Sequence, residues 1–360
     1  MSKPFRLSAA GDIVIRHRLQ GAHAVRSAGF DALMAHMKQA DLVWGSCEVQ
    51  FSKRGFRTDS PIAYLVEPEV GRDLGRVGYQ IMTVATNHTW DYGPDAFLDT
   101  LENLREGGVE PVGGGATPAE AWKPSIRVID GIKVGTLAVS CLVPPYYAVL
   151  DDRPGIAAVR IRQYAALDPL GMMIEPGRPI QVESMAEEED AVRLEQAIAA
   201  LRPQVNILIV SIHWGYGRGT PLATYQRPLA ERVIAAGADM ILGNHSHSPT
   251  AIELIGGKPV IYSLGNHIAQ QDRVNATRRQ LEIFADIDPW SVIADIDFDR
   301  HGVSSIALHP TACTKDGLPE LVPAGPLAAT ILSRIAELSS ASGTQVDVNG
   351  AVATINCRQS

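Results

Sequence analysis

No apolar run in this chain approaches the ~20 residues needed to cross a bilayer as a helix, so no membrane-spanning segment is expected. Cysteine is scarce. Cys47, Cys141, Cys313 and Cys357 lie far apart and form no C-x-x-C pair, which excludes a zinc knuckle and a disulfide framework. The N-terminal stretch MSKPFRLSAAGDIVI offers neither a basic segment leading into a long apolar one nor a cleavage site, so a cytoplasmic protein without a membrane anchor is expected. Clustered positive charge is also missing. Lys and Arg are scattered and the net charge is −8, which argues against a nucleic-acid groove or a polybasic membrane patch. A negatively charged protein that handles an anionic substrate needs a local positive centre, and a bound metal is the simplest one.

The 46% hydrophobic and 20% charged fractions are those of a soluble globular protein. At 360 residues the chain can form one large α/β domain or two ordinary ones. Strand-like and helix-like runs alternate along most of it. FRLSAAGDIVI (5–15) reads as a strand broken by Gly11, GFDALMAHMKQA (29–40) as a helix, DLVWGSCEV (41–49) and YQIMTVAT (79–86) as strands. Pro94 and the pair Gly107–Gly108 suit the start and stop of a helix over about 94–106. Residues 125–141 read as a hairpin turning at Asp130–Gly131. Periodicity weakens over 143–185, with its PPYY, RPG and EPGRP segments, and this stretch reads as an insertion or lid. Tyr146, Tyr147 and Arg160 within it are candidates for shaping a substrate pocket. A helix over 187–202 follows, then strand NILIVSIH, a helix over 222–237, and strands ADMILG and KPVIYSLGN. Strands near 291–298, 303–310 and 351–356 and a helix near 326–339 complete a layered α/β pattern.

In open α/β sheets, ligands collect outside the carboxyl ends of the strands. Asp12 follows the first strand here, Glu48 the second and Asn87–His88 the third. His213 ends NILIVSIH, and Asn244, His245, Ser246 and His247 follow ADMILG. Singly, each has a plainer reading: Asp12 as a turn or cap residue, Glu48 as a surface strand residue, His213 as a hydrogen-bonded core histidine. As a set they are carboxylate and imidazole donors of the kind that bind Zn, Mn or Fe(II). They outnumber the three or four ligands of a single catalytic zinc and suit two metals sharing a bridging carboxylate.

In order and spacing, G11-D12, G45-S46-C47-E48, N87-H88-T89-W90-D91-Y92-G93, H213-W214-G215 and G243-N244-H245-S246-H247 resemble the CapA (poly-γ-glutamate capsule synthesis) family, within the calcineurin-like metallophosphoesterase superfamily. The resemblance runs from residue 5 to about 312 and includes AERVIAAGADMILG and VIYSLGN. It implies a four-layer α-β-β-α sandwich formed by a domain over 1–312, with 313–360 packing on it. It also implies two divalent ions (Mn, Fe or Zn), with Asp12 and His247 on the first, Asn87, His213 and His245 on the second, and Glu48 bridging. His88 matches the family's general acid or anion-orienting histidine. Asp91 is placed either to fix the His88 tautomer or to cap the helix at Pro94. The superfamily's D-x-H motif has Val14 at its last position here, which implies a weaker first site. Arg16 or His17 is expected to compensate through substrate or metal. Asn244 replaces a family histidine and is expected beside the ligands or substrate. The implied activity is hydrolysis of a phosphoester or γ-glutamyl-type amide in a small-molecule or polyanionic substrate, with no nucleic-acid partner. The alternatives are a non-hydrolytic role in poly-γ-glutamate synthesis or export, and a binding module with a relic site.

Overall fold

The computed structural model describes residues 5–144, 146–166, 168–177, 179–217, 221–271, 273–285 and 287–358. Pro145 and Arg178, in the proline-rich stretches noted above, lie outside the described residues. The chain opens with β1 (Phe5–Val14), α1 (Ala28–Met37), β2 (Leu42–Cys47), α2 (Pro68–Val77), β3 (Ile81–Thr83), α3 (Gly93–Glu106) and β4 (Glu110–Val112). Ser27 starts α1 by accepting a hydrogen bond from the Phe30 amide, and Pro94 sits in the first turn of α3. The predicted hairpin is present as β5 (Ser125–Ile129) and β6 (Ile132–Ser140). Asp130 and Gly131 both take positive φ, as a two-residue turn of this kind requires. Next come α4 (Glu188–Leu201), β7 (Ile207–His213), α5 (Gln226–Ala235), β8 (Met240–Asn244), β9 (Ile252–Ile255), β10 (Lys258–Ile261) and β11 (Asn266–Ala269). The chain closes with β12 (Trp290–Asp299), β13 (Gly302–Cys313), β14 (Pro319–Leu321), α6 (Pro326–Ser340), β15 (Asp347–Asn349) and β16 (Val352–Asn356).

Two large sheets result. The ten-stranded sheet runs β15-β16-β13-β12-β1-β2-β3-β4, with β11 also paired to β1 and β14 to β13. The six-stranded sheet runs β9-β10-β8-β7-β6-β5. In the first, β1 through β4 are parallel neighbours; in the second, β6, β7, β8 and β10 are. Gly11 does not break β1, contrary to the sequence reading. The strand continues through it, with its register to β2 shifting between Ala9 and Asp12.

Alternation along the strands separates three apolar cores. Leu7, Trp44 and Ile296 of the larger sheet meet Val134, Ile209 and Leu242 of the smaller one, and Ile331 and Leu332 of α6 join this cluster. Val43 and Met82 face the other way, onto Met34 of α1, Leu74 of α2 and Phe97 of α3. Leu208, Val210 and Ile241 pack on Leu194 of α4 and Leu229 of α5. With both faces covered, β7 reads as a continuous apolar run, as buried parallel strands do. Each fully buried Leu or Ile contributes about 2 kcal/mol of transfer free energy. Residues after 312 complete the larger sheet, since β16 pairs with β13. The 143–185 stretch departs from both sheets. It ends in an exposed hairpin, Ile161–Ala166 against Gln181–Ala186, that brackets a short helix at Pro169–Ile174. Among the described residues, no helix is long and apolar enough to cross a membrane.

Candidate metal centre

Close backbone packing brings the donors together. A Cβ on Gly11 would sit 1.8 Å from the Gly265 carbonyl oxygen, so only glycine lets β1 lie against the loop before β11. The Asp12 amide donates to that same carbonyl at 2.9 Å, which fixes the carboxylate at the carboxyl end of β1. Beyond β8 the chain turns sharply: His245 has φ 101° and His247 φ 54°. Such backbone costs of order 1–3 kcal/mol for each non-glycine residue and persists only where its surroundings fix it. One fixing contact is the His245 amide, which donates to Asp12 Oδ2 at 3.0 Å.

Asp12, Glu48 and His213 are fully buried, and each offers a donor atom within 4.8 Å of the others. His213 Nε2 lies 2.7 Å from Asn87 Oδ1 and 3.4 Å from Glu48 Oε1. His88 Nε2 lies 3.8 Å from Glu48 Oε2, and His247 Nδ1 lies 3.6 Å from Asp12 Oδ2. The His213 and His245 rings are 5.0 Å apart, and those of His245 and His247 5.9 Å. The six residues that the sequence singled out as ligands therefore lie in one connected cluster, with His88 beside Glu48. Asp91 takes the first of its two expected places: its Oδ2 accepts from His88 Nδ1 at 2.9 Å and from the Tyr64 amide at 3.2 Å. The residue preceding α3 is Tyr92, and no side chain caps that helix.

Burial, reinforced by neighbouring Asp12, holds the Glu48 carboxyl well above the usual carboxylate range. Burial likewise raises Asp12, against the pull of His247 and the His245 amide. Burial and the surrounding imidazoles push His213 and His245 well below an ordinary histidine, and burial also lowers His247. His88 goes the other way. Burial opposes its charge, but the Asp91 carboxylate, with Glu48 and Asp12 behind it, pushes its pKa up to about 9.

The residues fit a divalent centre. Among the described residues, both Glu48 oxygens, Asp12 Oδ1, His213 Nδ1 and His245 Nδ1 are buried without a hydrogen-bond partner. Buried polar atoms are normally satisfied, and a converging set of orphaned carboxylate and imidazole atoms is the exception that a cation explains. Imidazoles held neutral are the metal-binding form of histidine.

Comparison with known proteins places the chain in a family. Residues 6–271 match the family of the bacterial capsule synthesis protein PGA_cap. The chain belongs to the CapA family. It is 24% identical over 271 residues to the PGA biosynthesis protein CapA of Bacillus subtilis, spanning 73% of this chain and 63% of that one. It is 30% identical over 215 residues to a probable polyglutamine synthesis accessory protein of Mycobacterium tuberculosis, spanning 59% and 50% of the two chains. An uncharacterized protein of Sinorhizobium fredii, y4sH, is 23% identical over 98% of this chain and 93% of its own. Among solved structures, a hypothetical protein from Thermus thermophilus aligns with a TM-score of 0.47 and 15% identity, over 85% of this chain and 98% of its own.

In this CapA-family chain the cluster opens onto a cavity of about 990 Å3 floored by Asn87, His88, His245 and His247. Its walls are largely apolar, with Phe56, Trp90, Tyr146, Tyr147, Ile283 and Ile287 among them. The Arg153 guanidinium stacks 5.3 Å from the Tyr146 ring centroid and 5.8 Å from that of Trp90, bracing two of the walls. Tyr146 and Tyr147 therefore reach the cavity. Arg160 does not; it forms a two-bond ion pair with Asp190. Arg16 and His17 line a neighbouring cavity of about 620 Å3, where their amides donate to Gln270 Oε1. Asn244 is buried behind the ligands, its amide 3.4 Å from Ser211 Oγ. Val14, in the place of the D-x-H histidine, is packed in the core below α1. Sequence reasoning gave no role to Asn266, which pairs in register with Asp12 and whose Oδ1 lies 3.0 Å from His247 Nδ1. Its signal was the strand-end rule itself, since Asn266 closes VIYSLGN. Phe56, Ile283 and Ile287 sit in irregular or short segments with no periodic signal.

Proposed function

We propose that this CapA-family chain is a metal-dependent hydrolase of the metallophosphoesterase type, working in the cytoplasm, with its sheets and flanking helices forming a four-layer α-β-β-α sandwich. The three separate apolar cores support the layering. The observation that carries the catalytic reading is Glu48: a fully buried carboxylate, both oxygens unpartnered, facing imidazoles at 3.4 and 3.8 Å. Asp12 and His247 would hold one divalent ion, Asn87, His213 and His245 a second, and Glu48 both. Ions of Mn, Fe or Zn bound there supply Lewis acidity, lowering the pKa of water toward neutrality and neutralising a bound anion. His88, held at Nδ1 by Asp91, presents Nε2 to the same space and protonates the leaving group or stabilises developing negative charge.

The substrate is a phosphoester or a γ-glutamyl-type amide. The cavity walls favour one that carries an apolar or aromatic group beside the scissile bond. Their charged members, Arg57 and Asp59, oppose each other in sign, which leaves little net attraction for a long polyanion. The test is metal analysis of the purified protein, joined to a hydrolysis screen over both substrate classes with Mn, Fe and Zn. Turnover that is lost on chelation and restored by one of these metals is expected. Protein that retains no metal and turns over neither class contradicts the reading.

A second reading rests on the relatives, two of which carry names for poly-γ-glutamate or polyglutamine synthesis. In it the chain is a non-hydrolytic component of polymer assembly or export. Polymer formation that persists unchanged in a Glu48→Ala strain, together with recovery of the protein in the membrane fraction, would favour it.

A further inference from the structure

A second set of metal-ligating side chains lies on the outer face of the ten-stranded sheet, under the last turn of α1. His36 of α1, Asp295 of β12 and His309 of β13 place their donor atoms within 4.8 Å of one another. His36 Nε2 is 2.8 Å from Asp295 Oδ2, and His309 Nε2 is 3.3 Å from the same oxygen. Asp295 Oδ1 is already occupied, accepting from the buried Ser8 hydroxyl at 2.7 Å. That bond fixes the carboxylate plane and leaves Oδ2 to both histidines. The two rings stand 4.6 Å apart and are inclined at 64°.

This differs from an ordinary Asp–His pair in two ways. Two imidazoles converge on one oxygen through the same ring nitrogen. The carboxylate is also oriented from behind by a hydroxyl, as metal-bound carboxylates are. Ligands about 2.0–2.1 Å from a tetrahedral zinc lie about 3.3 Å from each other; His309 Nε2 stands at that spacing from Asp295 Oδ2, and His36 Nε2 is closer, at 2.8 Å. Both histidine side chains keep some exposure, 28% for His36 and 18% for His309, so a fourth position faces solvent. Ser8 and Asp12 lie four residues apart on β1, about 13 Å along an extended strand, so this set is distinct from the one around Glu48.

We infer that His36, Asp295 and His309 bind one divalent transition-metal ion, of the zinc class, that staples α1 to the larger sheet. Two imidazoles and one carboxylate suit Zn(II) better than Mg or Ca. The inference is independent of the hydrolase reading, and the experiment keeps the two apart. Full-length protein is stripped with chelator, loaded with Zn2+, desalted and analysed for metal per chain. This is done in a Glu48→Gln background and again with His309→Gln or Asp295→Asn added. The expected result is one equivalent less metal in each double variant than in Glu48→Gln alone, with a larger Zn2+-dependent rise in Tm in the latter. His36→Gln, a change at a partly exposed helix end, is the third arm and guards against misfolding; circular dichroism of the metal-free forms verifies their folding. Equal metal content across all variants overturns the site. So does a Tm loss that is the same with and without Zn2+, because the three residues would then act only as a hydrogen-bonded cluster.

Discussion

Glu48→Gln separates a metal centre from a merely polar core. The amide keeps the shape of the side chain but cannot bridge two cations. An ion that binds only the folded state stabilises it by RT ln(1 + [L]/Kd), about 4 kcal/mol at a thousandfold excess over Kd. With an unfolding entropy of about 2.1 cal/mol/K per residue, a chain of 360 residues loses about 0.76 kcal/mol of stability per degree, so 4 kcal/mol moves Tm by about 5 °C. The parent protein, stripped and then titrated with Mn2+, is expected to gain about that much in a thermal melt. Glu48→Gln is expected to gain less than half of it. Without metal the order reverses or levels: a neutral amide is cheaper to bury than a carboxylate whose oxygens are both unpartnered, so the variant melts no lower than the parent. Mn2+ suits this assay because it prefers sites rich in oxygen donors over the His36 triad. A variant that gains as much from Mn2+ as the parent, or a parent that gains nothing, refutes the reasoning.

Asp91→Asn removes the carboxylate that orients His88 and is expected to lower kcat about 10- to 100-fold with metal content unchanged, by steady-state kinetics and metal analysis. Gly11→Ala forces a Cβ against the Gly265 carbonyl and is expected to cost about 1–3 kcal/mol, read as a lower denaturant midpoint. His267 is fully buried with both ring nitrogens unpartnered, and burial pushes its pKa down to about 3. Its folded value lies below the unfolded one of about 6.5, so the unfolded chain holds the extra proton between those limits, and stability falls as pH drops through that window. The slope is up to about 1.4 kcal/mol per pH unit, and His267→Leu is expected to remove it from pH-dependent melts.

The parts of this structure that local chemistry dictates were legible in the chain. Asp130–Gly131 sets its hairpin through two positive φ values, and the β-branched run before His213 is a strand buried on both faces. The donors around Glu48 were legible because each sits where an apolar strand stops, and parallel strands bring those stops to one rim. What was missed depends on contacts distant in sequence. Asn266 comes beside Asp12 because β11 pairs with β1 across more than two hundred residues, and its Oδ1 also meets His247 Nδ1. Gly11 reads as a strand breaker, yet it serves as the contact point for a second backbone. The Phe56 and Ile283 walls come from segments far apart in the chain, and so do His36, Asp295 and His309; no periodicity marks either group.

The proposed hydrolase reading requires the donors around Glu48 to grip a pair of ions. The most direct measurement is anomalous diffraction from crystals of Mn-loaded protein, collected at the manganese edge. Two peaks about 3.5–4 Å apart, one beside Asp12 and His247, the other beside Asn87, His213 and His245, with Glu48 between them, are predicted. A cluster without anomalous density, while the crystals carry manganese elsewhere, would contradict it.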